Sequence, residues 1–314
     1  SFINRLLDPE TDSSWLAAGP HLKIESEKKD IPLPKDIFRN RKNSKGIDIS
    51  EMENLELINK KINEYKNKSI HAVSIYGNRS EDKTSKHVVN SIADNSEIGS
   101  VAFDDIDMLL KNIDSNCSSD WKNISVKNRA DILINISNQI ESDPYELIYY
   151  LMNEAGKTIQ NSIDEIREAI DFLRYYSNQM IGIEESECEL EGPTGESNKL
   201  SYSAKGHFLC ISPWNFPVAI LIGQISAALI TGNKVTVKPS EHTSILGYIV
   251  VKKFHENGIP LDALQLVLGD GKYGDALSRI RHLNGVAFTG SLPTAKRIQN
   301  NLNQNQKEIL PLIA

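Results

Sequence analysis

From His207 onward, short apolar runs alternate with longer stretches of helical spacing. "HFLCIS" (207–212) has the length of a strand, and Val218–Ile230 is an apolar stretch of helix length in which Gly223 and Ala227 supply small residues for close packing. "KVTVK" (234–238) reads as the next strand. Thr243–Asn257 reads as a helix closed by Gly258, a residue suited to the left-handed position after a helix end. "LQLVLG" (264–269) is a strand followed by a short helix to about Arg281, and "GVAFTG" (285–290) a strand followed by a helix through about Asn300. "EILPLIA" (308–314) is a last apolar run. Strands alternating with helices across short loops predict an α/β fold. The expected form is a doubly wound, mostly parallel, Rossmann-like sheet of about five strands with helices on both faces. Such sheets bind ligands at the carboxyl ends of their strands.

Upstream the pattern changes. "DPYELIYYLMNEAGKT" (143–158) offers Asp143 as N-cap, Pro144 at the first helical position and Glu146 two further on, with the helix ending at Gly156. The next helix carries Ile163, Ile166, Ile170 and Leu173 on one face. "ECELEGPTGESNKLSYSAKG" (187–206) alternates around Pro193-Thr194-Gly195 and predicts a protruding β-hairpin at about 185–206 with rather polar strands. Residues 1–68 are polar and rich in Lys and Asn. "DIPLPKDIFRNRKNSKG" (30–46) reads as an extended linker or wrapping segment, and a floppy tether is the alternative for residues 1–48. In "SEMENLELINKKINEY" (50–65), Ser50 and Glu53 form a capping box, and Leu55, Ile58, Ile62 and Tyr65 give one apolar stripe. The expected division is therefore a linker and helical segment, 1–68, and a packed domain, 69–314.

Composition narrows the class. With 39% hydrophobic and 25% charged residues the chain suits a soluble globular protein, and its net charge of −7 speaks against a duplex nucleic-acid surface. No apolar run approaches the roughly 18 residues of a membrane span. The first residues, "SFINRLLDPE", lack a signal-peptide layout. Cys117, Cys188 and Cys210 are widely spaced, without a CxxC, which points to a reducing, cytoplasmic setting. The His residues have no metal-ligand spacing, so no metal site is expected.

Four stretches carry candidate chemistry. In "CISPWNFPVAI" (210–220), Asn215 is a lone amide in a stiff apolar setting, either a turn-maker or a donor aimed at something. "GDGKYG" (269–274) matches GxGxxG at Gly269, Gly271 and Gly274. It follows the third strand of the unit and not the first, so tight-turn glycines compete with phosphate contact. "KPSE" (238–241) closes the second strand, where Lys238 and Glu241 can meet a ribose or form an exposed ion pair. In "FTGS" (288–291), Gly290 and Ser291 open a helix, where free N–H groups attract an anion and Ser291 can also serve as N-cap.

Together "PWNFP", "KPSE" and "FTGS", with "EAGKT" (154–158) upstream, resemble the NAD-binding domain of the aldehyde dehydrogenase superfamily over roughly residues 70–314. "REAIDFLRYY" (167–176), "GPTGESN" (192–198) and "CISPWNFP" further resemble the aldehyde dehydrogenase half of bifunctional proline-utilisation proteins. Those join an FAD-dependent proline dehydrogenase barrel to an NAD-dependent L-glutamate γ-semialdehyde (1-pyrroline-5-carboxylate) dehydrogenase. "SFINR" and "PLPKDIF" look like the end of that barrel and the inter-domain linker. The resemblance implies Asn215 as the oxyanion donor. It implies Lys238 and Glu241 at the adenosine ribose, Gly290 and Ser291 against the pyrophosphate, and Ile211, Trp214, Ser240, Gly271, Gly274 and Phe288 lining the NAD cleft. It implies a homo-oligomer of which the hairpin is the flap, an aldehyde substrate, and FAD only in the absent proline dehydrogenase part.

The same resemblance places the nucleophilic Cys and the water-activating Glu beyond Ala314. The chain is therefore expected to be a middle piece, inactive alone. Cys210 reads as core, and Cys117 and Cys188 have no neighbour that lowers a thiol pKa. Another aldehyde specificity and a non-catalytic nucleotide-binding or scaffold module are the alternatives.

Overall fold

The computed structural model describes residues 36–38, 41–77, 84–115, 119–186, 189–305 and 308–314, all within one unit, Pro34–Ala314. The expectations for residues 1–35, and for Cys117 and Cys188, lie outside the described residues. In chain order the elements are α1 (Met52–Asn63), β1 (Ile70–Val73), β2 (Thr84–Asn90), β3 (Glu97–Asp104), α2 (Ile106–Ser115), α3 (Val126–Ser142), α4 (Tyr145–Asn153) and α5 (Ile159–Glu185). Next come β4 (Glu189–Leu190), β5 (Asn198–Lys199), β6 (His207–Ile211), α6 (Ala219–Ile230), β7 (Lys234–Lys238) and α7 (Ser244–Glu256). The last are β8 (Leu264–Leu266), α8 (Gly271–Leu277), β9 (Gly285–Phe288), α9 (Leu292–Asn305) and β10 (Leu312–Ile313).

The main sheet has five strands in the order β10-β9-β6-β7-β8, every pair parallel. Strand residues alternate between faces, and the two faces meet two cores. Cys210, Val235, Val237, Leu264 and Leu266 join the core beneath α5, α6 and α7. Leu209, Ile211, Val286 and Phe288 join the other, with Leu277 of α8 and Ile298 and Leu302 of α9. Helices thus cover both faces, as the alternation predicts. One polar row interrupts the second face: His207 Nε2 meets Thr236 Oγ1 at 2.8 Å, and Thr236 Oγ1 donates to Gln265 Oε1 at 3.1 Å. Burial pushes the His207 imidazole down to about 3, so it is neutral there.

On α6, Leu221, Ile222, Ile225, Leu229 and Ile230 are buried. At roughly 2 kcal/mol for each such side chain, burial holds this helix against the sheet. The direction of its N-terminus is set separately, by polar bonds described below. No helix among the described residues is long and apolar enough to cross a membrane.

A second sheet, β1-β3-β2, is not legible in the sequence. Its strand β2 is an exposed, mostly polar edge, and β1 has only four residues, too few to show a period. Ile75 and Leu266 exchange backbone hydrogen bonds of 2.8 Å, joining the segment after β1 to β8.

Local expectations shift in three places. The capping box is not formed: the Ser50 hydroxyl donates to Asp48 Oδ1 at 2.6 Å, and α1 starts behind Glu51 without a side-chain cap. Its stripe survives, with Ile58 buried and Ile62 and Tyr65 packed on the main core. Asp143 is not the N-cap of α4, because only two residues separate α3 from α4. Asp143 closes α3, its N–H on Gln139 O, and Pro144 takes the cap position. The helix ends at Asn153, and Gly156 follows at φ +68°, where Lys157 N–H returns to Leu151 O. Among the described residues the hairpin is short: β4 and β5 pair Glu189 with Lys199 and Leu190 with Asn198, and residues 200–206 are not strand.

Candidate functional site

The carboxyl ends of β6, β7 and β9, with α8, enclose a cleft of about 360 Å³. All ten residues expected to face a cofactor line it. Ile211 and Trp214 come from the end of β6. Lys238, Ser240 and Glu241 come from the end of β7. Gly271 and Gly274 come from α8, and Phe288, Gly290 and Ser291 from the end of β9. Asn215 does not line it. It stands exposed on the same turn, between the exposed rings of Trp214 and Phe216, and its side chain has no hydrogen bond to a described residue.

Helix N-termini decide where an anion can sit, since their first N–H groups have no partner within the helix. The start of α6 is occupied: Glu165 Oε1 accepts from Val218 N (2.7 Å) and Ala219 N (3.2 Å). So is the start of α7, where the two oxygens of Glu154 accept from Ile245 N and Leu246 N, both at 2.8 Å. The first turn of α8 is closed by Asp270 Oδ1 on Lys272 N at 2.8 Å. GxGxxG is therefore the self-capped turn that the tight-turn reading described, although two of its glycines line the cleft. The N–H groups of Gly290, Ser291 and Leu292 have no protein partner among the described residues. Ser291 acts as cap only through a 3.4 Å bond from Thr294 N. Of these four helix starts, α9 presents three consecutive N–H groups without a partner among the described residues.

The two capping carboxylates differ in their electrostatics. Burial pushes the Glu154 carboxyl up to about 8, against the pull of its two N–H bonds, which favour the ionised form. Glu165 is ion-paired with Lys157 at 2.5 Å, and the Lys157 amine lies 4.0 Å from the centre of the Phe216 ring. The helix α5 thereby grips the turn that carries Asn215. "EAGKT" was legible as a motif, but neither cap was. Glu165 had a local signal, an acid at four-residue spacing from the buried Ala169 and Leu173.

At the end of β7, Lys238 Nζ lies 3.3 Å from Glu241 Oε2. Burial lowers the Lys238 pKa, and Glu241 acts in the opposite direction. The turn packs tightly on α7: a Cβ on Gly247 would come within 2.5 Å of Pro239 Cγ, so only glycine admits this approach. Gln224 ties the neighbouring strand ends together, its Nε2 donating to Ile211 O and to Thr289 Oγ1, each at 3.2 Å. Four further cleft residues, Asp275, Thr294, Arg297 and Ile298, lie outside the sequence motifs. Cys210 is fully buried with its thiol pushed up to about 12, so it packs and does not react.

A parallel α/β domain with an open helix start and a lysine–carboxylate pair at its strand ends is the class of protein these features define. Residues 78–311 match the aldehyde dehydrogenase family, and the chain belongs to that family. It is 31% identical over 332 aligned positions to the bifunctional protein PutA of Salmonella typhimurium, covering 100% of this chain and 24% of that protein. It is 32% identical to the 1-pyrroline-5-carboxylate dehydrogenase of Staphylococcus haemolyticus, covering 82% of this chain and 51% of that protein. A solved structure of proline utilization A with proline bound in remote sites superposes with a TM-score of 0.76 at 34% identity, over 91% of this chain and 26% of that one. The chain thus spans about a quarter of the length of its PutA relatives.

Proposed function

We propose that this chain supplies the NAD-binding domain for the oxidation of L-glutamate γ-semialdehyde to glutamate, within a protein that also oxidises proline. The observation that carries the reading is the open start of α9 beside Lys238 and Glu241 in one cleft. The N–H groups of Gly290 to Leu292 hold the pyrophosphate. Lys238 and Glu241 hold the adenosine ribose, and the carboxylate disfavours a 2′-phosphate, so NAD is preferred to NADP. Bound there, the cofactor supplies the hydride acceptor.

The chain's own contribution to the chemistry is the amide of Asn215, which donates to the aldehyde oxygen as charge develops on it. Lys157 and Glu165 hold the turn that presents it. Cys210 cannot serve as nucleophile, and the thiolate and water-activating carboxylate that the family resemblance implies are not assigned to residues of this chain. FAD belongs to the proline-oxidising activity, and no residue here is assigned to it. Among the described residues the hairpin β4–β5 pairs two positions and leaves Leu190, Leu200 and Tyr202 exposed, which fits an edge that pairs with a second copy.

Calorimetric titration of the purified chain with NAD and NADP tests the reading. NAD is expected to bind, and more tightly than NADP. Equal affinity, or tighter binding of NADP, contradicts it.

A further inference from the structure

The cofactor cleft lies at the carboxyl ends of the strands. A second groove, of about 550 Å³, lies at their amino ends, where Thr231 leads into β7. The start of α3 contributes Val126 and Arg129 to its lining, and the end of α5 contributes Met180, Ile183 and Glu184. None of these residues has a task in the function just proposed.

Arg129 is 5% exposed, so its guanidinium is a buried cation. Its Nε donates to Ile230 O at 2.9 Å, at the end of α6, and its Nη1 donates to Ile124 O. The remaining N–H groups of the guanidinium bond to no described residue. Its plane is held in orientation. A Cβ on Gly232 would stand 3.3 Å from Nη1 and 3.4 Å from Cζ, so the glycine backbone closes on it. Carbonyl dipoles alone compensate a buried charge incompletely. Glu184 is exposed and makes no ion pair with Arg129. Burial lowers the Arg129 pKa, against the opposing pull of Glu184.

The lining also selects what can answer that cation. Lys122 adds an exposed positive charge and Glu184 an exposed negative one. A ligand with a single negative charge is favoured, because a second would face Glu184. Val126, Met180 and Ile183 offer it an apolar surface. We propose that this groove binds a small monocarboxylate with a short aliphatic body, its carboxylate on the open N–H groups of Arg129 and its body against Val126, Met180 and Ile183. A guanidinium offers paired N–H groups that match the two oxygens of a carboxylate. The site stands apart from the cofactor cleft, and neither reading depends on the other.

The test titrates the chain itself at constant ionic strength with four probes, followed by the amide signals in two-dimensional NMR. Butyrate carries charge and body, butyramide the body alone, and succinate and sulfate two charges each. Butyrate is expected to shift the Ile183 and Thr231 signals saturably, and the other three to bind about tenfold more weakly or not at all. Ile183→Asp, at an exposed position, places a carboxylate in the groove and should remove saturable binding. Arg129→Lys should weaken butyrate by about tenfold to a hundredfold. Should that buried substitution not fold, the Nε–H signal of Arg129 in wild type replaces it and must move with butyrate; a signal that stays put overturns the proposal. The proposal is also overturned by the absence of saturable shifts at Ile183 and Thr231 in folded wild type. Butyramide, succinate or sulfate bound as tightly as butyrate overturns it too, as does butyrate binding that Ile183→Asp leaves unchanged. Light scattering separates a free acid from a protein carboxylate: a dimer that butyrate dissociates makes the groove a seat for a second copy and overturns the small-molecule assignment.

Discussion

The carboxylate of Glu165, on α5, accepts the backbone N–H of Val218 at 2.7 Å across 53 residues of sequence. The same oxygen takes Ala219 N, and the other pairs with Lys157, whose amine lies over Phe216. One buried acid therefore caps α6 and fixes the far side of the turn that begins with Trp214 and Asn215.

Removing that acid leaves a nearly buried ammonium without its partner and two helix N–H groups unpaired. Glu165→Ala is expected to cost about 3–5 kcal/mol of stability. Glu165→Gln keeps an oxygen for the N–H groups and loses only the charge pairing, so about 1–2 kcal/mol is expected. Urea unfolding measures both. An alanine variant as stable as wild type would show that the clamp is dispensable.

Glu154 predicts a pH dependence. Its folded pKa, about 8, lies above the ordinary glutamate value of 4.5, so the folded state holds a proton that the unfolded chain releases. The contribution to stability is full below about 4.5 and is lost as pH rises through 8. Between pH 6 and 8 the loss is on the order of 2–3 kcal/mol. Glu154→Gln has no proton to release, and its urea midpoint should change much less between pH 6 and 9 than that of wild type. Parallel curves for the two proteins would refute the assignment.

Glu241→Ala removes the carboxylate proposed to accept ribose hydroxyls and repel a 2′-phosphate. NAD affinity should fall by about tenfold to a hundredfold, as for a lost hydrogen bond to a charged group, and the preference over NADP should vanish. Calorimetry on the variant with both cofactors decides this. A preserved preference would place discrimination elsewhere in the cleft.

Cys210 should be silent in the native protein. In a chain with Cys117→Ser and Cys188→Ser, a thiol-specific reagent at pH 8 is expected to label Cys210 only at the rate of unfolding, because the thiol is fully buried and its pKa is raised to about 12. Labelling within seconds under native conditions would mean that the strand β6 is open.

The short edge strands show where sequence reading runs out. β3 is buried along most of its length, but its partners are a four-residue strand and a polar edge, so no local repeat announces the sheet. The hairpin is legible from its turn residues, yet among the described residues two pairs form, because a turn signal fixes the reversal and not how far pairing extends.

What the sequence determined by itself is what depends on near neighbours. The alternation after His207 sets strand and helix through periods of two and of 3.6 residues, and "KPSE" and "FTGS" follow directly on the strands that carry them to the cleft. Only the tertiary structure decided which helix starts stay open. Glu154 reaches Ile245 across 91 residues and Glu165 reaches Val218 across 53, while Asp275 holds Arg297 across 22. A buried carboxylate must find donors wherever packing brings them, and no spacing along the chain records that meeting. The sequence therefore placed the cleft-lining residues at the strand ends, and the packing of α4 and α5 against α6 and α7 closed the starts of those two helices and left three consecutive N–H groups open at the start of α9.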